Sequence, residues 1–252
     1  MKNLHIVYYS YIGGDDVYFP NGKYHWKKVI KGQINDIKES ELLKQNDTPG
    51  AGTQKSEGTK IVCKLYLIIC SEKKFLLDEA TKLIEELMDP KIDFTLELET
   101  VNRFEYPGIK KVYELGCANK DDIILYLHSK QLGHSNVLSN GRGQVEMICL
   151  QNTIKKWKDI LTVFDLDKRV EKVCLFPSTT GFSWINFFWT RGSYVSRCSD
   201  PIITQDRYYY ERWLGEEGSK TWTDCYNLCK EQIESVDENQ IYNYLFQLSY
   251  KM

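Results

Sequence analysis

The sequence predicts an α/β protein with a Rossmann-like alternation of strands and helices. Apolar runs of strand length alternate with amphipathic helical stretches through the first 130 residues, as parallel βαβ units require. One run, Ile123-Ile124-Leu125-Tyr126-Leu127, lies between Asp121-Asp122 and His128-Ser129-Lys130, the signature of a strand buried on both faces. With 42% hydrophobic and 27% charged residues, the 252-residue chain can bury a full core as one domain.

Residues 3–11 (NLHIVYYSY) read as the opening strand, closed by Gly13-Gly14-Asp15-Asp16. A helix follows over 24–43, where Trp26, Val29, Ile30, Ile34, Ile37 and Leu42 recur at roughly helical spacing. The polar, Gly-rich stretch 46–59 is a surface loop whose glycines match no phosphate-cradling motif. Residues 61–70 form a second apolar strand, and 76–88 a helix stopped by Asp89-Pro90. Residues 94–100 alternate as a third strand, and a short helix over 109–115 opens after Pro107-Gly108. After the 123–127 strand comes a Gly- and Ser-rich loop (131–143) and one long helix over 145–160. Residues 170–177 read as a strand, 181–197 as a strand with a short helix, and the chain from Thr223 as helical.

Bulk properties exclude several classes. Thirty-three basic residues against 35 acidic ones give a formal charge of −2, so no global field draws nucleic acid or an anionic membrane. The 8 cysteines are scattered singly. Cys63, Cys70 and Cys174 sit in strand-like runs as small hydrophobes. Cys225 and Cys229 are spaced for one face of a helix, without the further ligands that a zinc site needs. No secretory pattern precedes Leu4 and no apolar stretch has membrane-spanning length. The expectation is a reduced, cytoplasmic protein; oligomeric state leaves no trace in the sequence.

Open α/β sheets bind ligands at the carboxyl ends of their strands. That rule singles out His128, Ser129 and Lys130 after the buried run, and Tyr8, Ser10 and Tyr11 at the end of the first strand. Asn102 and Arg103 follow the third strand. His128 and Lys130 favour an anionic ligand, an Arg103 guanidinium suits a diphosphate, and a Tyr ring can stack on a base. Asp121 and Asp122 fall at the opposite end of their strand and read as loop residues. Asp165-Leu166-Asp167 follows the long helix and reads as a helix end or a turn.

Four segments occur in order: NRFEYPGIKKVYEL (102–115), DDIILYLHSK (121–130), NFFWTRGSYV (186–195) and RYYYERWLG (207–215). This series, over roughly residues 3–216, resembles bacterial and large-DNA-virus glycosyltransferases with a reduced GT-A-like fold. It is also similar to the enzymes with which chlorella viruses build their capsid glycans, a xylosyltransferase among them. The resemblance implies a single domain with a central mixed sheet flanked by helices. Residues 1–130 would bind the nucleotide sugar, 131–216 would carry the acceptor and catalytic side, and 217–252 would be C-terminal helices.

It further implies a nucleotide-sugar donor, UDP-linked with xylose or another sugar, and a glycan or glycoprotein acceptor. The family's Asp-x-Asp, which holds Mn or Mg against the diphosphate, is replaced here by His128-Ser129-Lys130. A divalent metal is therefore left open, since these cations can neutralise the leaving group themselves. Asn186, Phe188, Trp189, Arg191 and Trp213 would line the acceptor side. Glu211 matches the segment that supplies the base of inverting enzymes, with aromatic neighbours whose desolvation suits that role. Two rival readings are a non-catalytic carbohydrate-binding module with aromatic platforms and another nucleotide-handling enzyme such as a methyltransferase. The latter lacks a G-x-G turn after the first strand.

Overall fold

The computed structural model describes residues 3–13, 25–46, 61–129, 142–178, 181–206, 208–216 and 225–227. Its first strand, β1 (Asn3–Tyr11), is apolar on both faces and therefore buried on both. Leu4, Ile6 and Tyr8 join one core; Val7 and Tyr9, one step out of phase, join another. The other strands are β2 (Val62–Cys70), β3 (Phe94–Glu99), β4 (Ile123–His128), β5 (Lys172–Cys174), β6 (Phe188–Arg191) and β7 (Cys225–Asn227). They form one mixed sheet in the order β3-β2-β1-β4-β6-β5-β7. The first four strands are parallel, and β6 runs antiparallel to both of its neighbours.

Helices cover both faces. On one side lie α1 (His25–Glu39), α2 (Lys74–Leu87), α4 (Arg142–Lys155) and α5 (Trp157–Leu166), packed over Leu65, Leu67, Leu125 and Trp189. On the other lie α3 (Tyr106–Ala118), α6 (Gly192–Val195) and α7 (Tyr209–Glu216), packed over Tyr126 and Phe188. The α/β reading, with a mixed central sheet between helical layers, holds.

Several boundaries differ from expectation. Pro107 and Gly108 stand inside α3, which begins at Tyr106, because a proline in the first turn gives up no helical hydrogen bond. The single helix expected over 145–160 is two, divided at Lys156. The strand expected over 170–177 narrows to Lys172–Cys174. The helix expected from Thr223 is contradicted at Cys225–Asn227, which pairs in parallel with β5. An edge strand with open backbone groups is a template for such pairing. Cys225 is thus on a strand, and the spacing to Cys229 does not describe a helix face. The 47–60 and 130–141 stretches, including most of the two expected loops, fall outside the described residues.

Polar clamps tie the layers together. Asp122 is buried at the start of β4 and accepts from the Asn3 backbone N–H (2.8 Å), Asn119 Nδ2 (2.9 Å) and Asn3 Nδ2 (3.3 Å). Its Oδ2 lies 2.9 Å from His5 Nε2. Asp122 is therefore at the end of the strand foreseen for it, but as a fastening between β1 and β4 rather than a solvated loop acid. Lys172 is fully buried and donates to the Gly181 carbonyl (2.9 Å) and the Tyr194 hydroxyl (3.0 Å). Tyr194 in turn donates to the Leu214 carbonyl, which links β5, α6 and α7. Among the described residues no helix is long and apolar enough to cross a membrane.

Candidate active site

The chain runs outward from β1 to β2 and β3, then returns across β1 to place β4 on its other side. Strand order reverses between β1 and β4, and such switch points open a crevice at the carboxyl ends of the strands. Those ends carry Tyr9-Ser10-Tyr11 and His128-Ser129. They are cross-linked: the Ser129 backbone N–H donates to the Tyr9 carbonyl (3.0 Å) and Ser129 Oγ donates to Ser10 Oγ (2.7 Å). The pleat puts Tyr9, Tyr126 and His128 on the α3, α6 and α7 side. His128 stacks on Tyr126, with ring centroids 5.9 Å apart.

Glu105, the residue before α3, is the hub of this corner. Its Oε2 accepts from Asn186 Nδ2 (2.5 Å) and from the Tyr126 hydroxyl (3.2 Å), while Oε1 stands 3.6 Å from His128 Nδ1. The other ring nitrogen, His128 Nε2, is 3.1 Å from the Ile185 carbonyl. Asn186 Nδ2 also reaches the Tyr210 carbonyl at 3.4 Å. This contact requires backbone conformations that L-residues avoid: φ is 69° at Ile185 and 56° at Asn186. A β-branched residue held there costs about 1–3 kcal/mol, strain that clusters at functional sites.

Electrostatics agree with the geometry. Burial first, then the Glu105 charge, push the Tyr126 phenol well above its ordinary range, and the Glu211 charge adds to the rise. Burial and the neighbouring Cys70 thiol do the same for Tyr9, with Glu105 contributing less. Both phenols are therefore protonated at neutral pH, and Tyr126 is a donor. In this corner the buried Tyr9 Oη and Asn186 Oδ1 have no hydrogen-bond partner among the described residues.

Glu211 lies half-buried in the first turn of α7, on the same side of the sheet as His128. Its charge is felt at Tyr126, which His128 stacks upon. The adjacent Arg212 pairs with Asp206 at 2.5 Å; Arg207 is outside the described residues. Tyr11 is also where expected, half-buried at the β1 end, donating to Glu72 Oε2 at 3.0 Å. Burial and the contact with Glu72 push its phenol up to about 12. Asn102 accepts from the Phe104 N–H (3.0 Å) and shapes the turn that presents Glu105. Arg103 is at the same rim, joined to Glu105 by a backbone bridge; among the described residues no ion pair connects the two.

Other expected site residues are elsewhere. Tyr8 points to the opposite face, fully buried, and donates to Gln33 Oε1 at 2.5 Å; no face of its ring is open to a base. Phe188, Trp189 and Trp213 are fully buried. Phe188 packs on Tyr126, Trp189 Nε1 donates to the Thr153 carbonyl (3.0 Å), and Trp213 Nε1 donates to the Ser199 carbonyl (2.9 Å). They form core and cannot serve as platforms for a sugar. Arg191 pairs in register with Ile123, at the far end of β4 from His128. Its guanidinium, whose pKa burial lowers, donates to the carbonyls of Val170 (2.7 Å), Asp167 (3.2 Å) and Phe164. The partner its burial demands is the carboxyl end of α5, a site that favours cations, and not a pyrophosphate. Lys130 lies outside the described residues.

No protein-family model matches the sequence, and no curated protein matches it. Among the solved structures similar to it are two transferases. One is a cytidylyltransferase from Leptospira borgpetersenii, 10% identical, with a TM-score of 0.46, covering 100% of this chain and 95% of that one. The other is a mannosyltransferase from Pyrobaculum calidifontis solved with GDP-Man and Mn2+, 9% identical, with a TM-score of 0.41. That match covers 90% of this chain and spans 55% of the mannosyltransferase's length. Neither likeness decides a family.

Glu105 is the site residue that sequence reasoning missed. Within NRFEYPG it is simply an acid before a helix start, and its 81-residue separation from Asn186 hides the contact. Gly108 supplies the room for this corner. A Cβ there would lie 2.8 Å from Tyr126 Cε2 and 2.9 Å from Tyr9 Cβ, and Tyr9 is fixed in the central sheet. Gly108→Ala is expected to lift α3 away from Tyr126 at a cost of about 1–3 kcal/mol. A thermal melt checks this; an unchanged midpoint would show that α3 tolerates the methyl group.

Proposed function

We propose that this protein is a glycosyltransferase that moves a sugar from a nucleotide-sugar donor to the hydroxyl of a glycan acceptor with inversion. The observation that carries the proposal is the pairing of a switch-point edge with a carboxylate from the later half of the chain. Ser10, Tyr11, Ser129 and His128 line that edge, and Glu211 opens α7, whose Tyr210 carbonyl meets Asn186 beside Glu105 and His128. In the reaction, the Glu211 carboxylate takes the acceptor hydroxyl's proton. The acceptor oxygen forms its bond to the anomeric carbon as the bond from that carbon to the phosphate oxygen breaks. The electron pair leaves on the nucleoside diphosphate. Tyr11 and the Asn102–Arg103 turn would meet the nucleotide, and the Arg103 guanidinium would steady the diphosphate.

The donor we favour is UDP-linked, with xylose among the candidate sugars, and the work is cytosolic, in keeping with cysteines that fall singly along the sequence. Among the described residues no three His, Cys, Asp or Glu side chains are grouped to hold a metal ion. Both nearby candidates are engaged, Glu105 by Tyr126 and Asn186, and His128 Nε2 by Ile185. No step of the proposal therefore runs through a metal. A glycan-binding module is disfavoured by one observation: Phe188, Trp189 and Trp213 are all inside the core.

Calorimetric titration with UDP, GDP and dTDP and their sugars, with and without manganese, tests the proposal. The expected result is micromolar to millimolar affinity for one nucleotide series, UDP first, followed by sugar release or transfer. Failure of every nucleotide to bind would overturn it.

A further inference from the structure

We propose that Glu105 is a positioning residue that sets the stance of Glu211 through Asn186, an inference that rests on the glycosyl-transfer reading above. Glu105 Oε2 takes the Asn186 amide at 2.5 Å, and the same amide reaches the carbonyl of Tyr210, the residue before Glu211, at 3.4 Å. One NH2 group thus joins the loop ahead of α3 to the first turn of α7.

The direction of that amide is fixed by chemistry. An ionised carboxylate only accepts, so Asn186 must turn its nitrogen to Glu105 and leave its oxygen on the other side. Asn186 Oδ1 is buried there without a partner, and both Ile185 and Asn186 hold left-handed backbone angles. The Asn186 backbone N–H is held locally by the Ser183 carbonyl at 3.0 Å, and the bond to Glu105 is what holds its side chain. Tyr126 closes the arrangement from below. It donates to the same Oε2 at 3.2 Å. Removing Glu105 frees Asn186 to relax towards ordinary backbone angles and releases the first turn of α7. The base then stands in the wrong place relative to the acceptor hydroxyl, while the β1–β4 edge that binds nucleotide stays intact.

The test compares Glu105→Ala, Glu105→Gln and Asn186→Ala in the full chain, reading sugar transfer, donor KM, nucleoside diphosphate affinity and thermal midpoint. Glu105→Ala is expected to lower kcat by about 100-fold, the usual penalty for misplacing a reacting group by an ångström, with donor KM and diphosphate affinity changed little. Glu105→Gln can place its amide oxygen where Oε2 was, keeping both donors, and so recovers most of the loss. Asn186→Ala matches Glu105→Ala, and the double variant falls no further, because both act along one path.

Equal losses in Glu105→Gln and Glu105→Ala would overturn the proposal in favour of a role for the charge. Additive losses, or nucleotide affinity falling in step with kcat, would overturn it in favour of general structural damage. If Glu105→Ala does not fold, Glu105→Gln and Asn186→Ala still decide the matter. A wild-type protein that neither binds nucleotide nor transfers sugar removes the underlying reading, and this inference with it; a wild-type enzyme with fully active Glu105→Ala removes this inference alone.

Discussion

Glu211→Gln is expected to reduce sugar transfer by about 100- to 10,000-fold, the range that a positioned general base contributes. Glutamine keeps the shape and one acceptor oxygen, so the first turn of α7 and its contact with Asn186 through Tyr210 have no reason to move. What it loses is the capacity to accept a proton. Nucleotide affinity is expected to stay within about threefold of wild type, since Glu211 enters from α7 and the proposed donor edge belongs to β1 and β4. Single-turnover transfer, measured beside calorimetric nucleotide binding, separates the two effects. Transfer at the wild-type rate would move the base elsewhere, with Glu105 the nearest other carboxylate to Tyr126 and His128.

Trp189→Ala is expected to cost about 3–5 kcal/mol, as truncation of a fully buried tryptophan does. Trp189 is sealed on the α4 and α5 side of the sheet, and its indole N–H satisfies the Thr153 carbonyl at 3.0 Å. The substitution leaves a cavity and an orphaned acceptor together. In a chain of this size the thermal midpoint should fall by about 10 °C. A residue that served only as a sugar platform would behave in the opposite way, losing glycan affinity with its melting point unchanged, and that outcome would contradict the packing described above.

These two residues mark what the sequence could and could not disclose. The layers were legible because they follow from short-range patterns. The continuous apolar run at 123–127 required a strand covered on both faces, and all six residues of β4 are buried. Its C-terminal His128 fell at the ligand edge because strand direction and chain order leave no alternative once β1 and β4 are neighbours. The aromatic run at 187–189 was harder to read. Alternation along β6 sends Phe188 to one core and Trp189 to the other, and such a run has the same composition whether it lies inside or lines a cleft. Arg191 needed a partner, and the one it found is the last turn of α5, more than twenty residues earlier in the chain. No spacing rule predicts that meeting.

The site itself was half legible. Tyr11, Ser129, His128 and Glu211 could be named because each closes a strand or opens a helix in a segment with a recognisable pattern. Glu105 could not, because its role depends on how β6 registers against β4 and on left-handed backbone at Ile185 and Asn186. Both are properties of the assembled sheet. The short strand at Cys225–Asn227 escaped for a similar reason: three residues carry too little periodicity to outweigh the helical composition around them.

The insertion of β6 between β4 and β5 has a consequence for the order of events during folding. The corner closes only when Ser10 meets Ser129, 119 residues away, and when β6 returns against β4 to bring Asn186 to Glu105, 81 residues away. Closing so distant a contact is slow compared with forming a local crossover. Competence to handle substrate therefore arrives at the end of the folding reaction. Recovery of that competence after dilution from denaturant would time the last step of assembly, behind the earlier return of secondary structure.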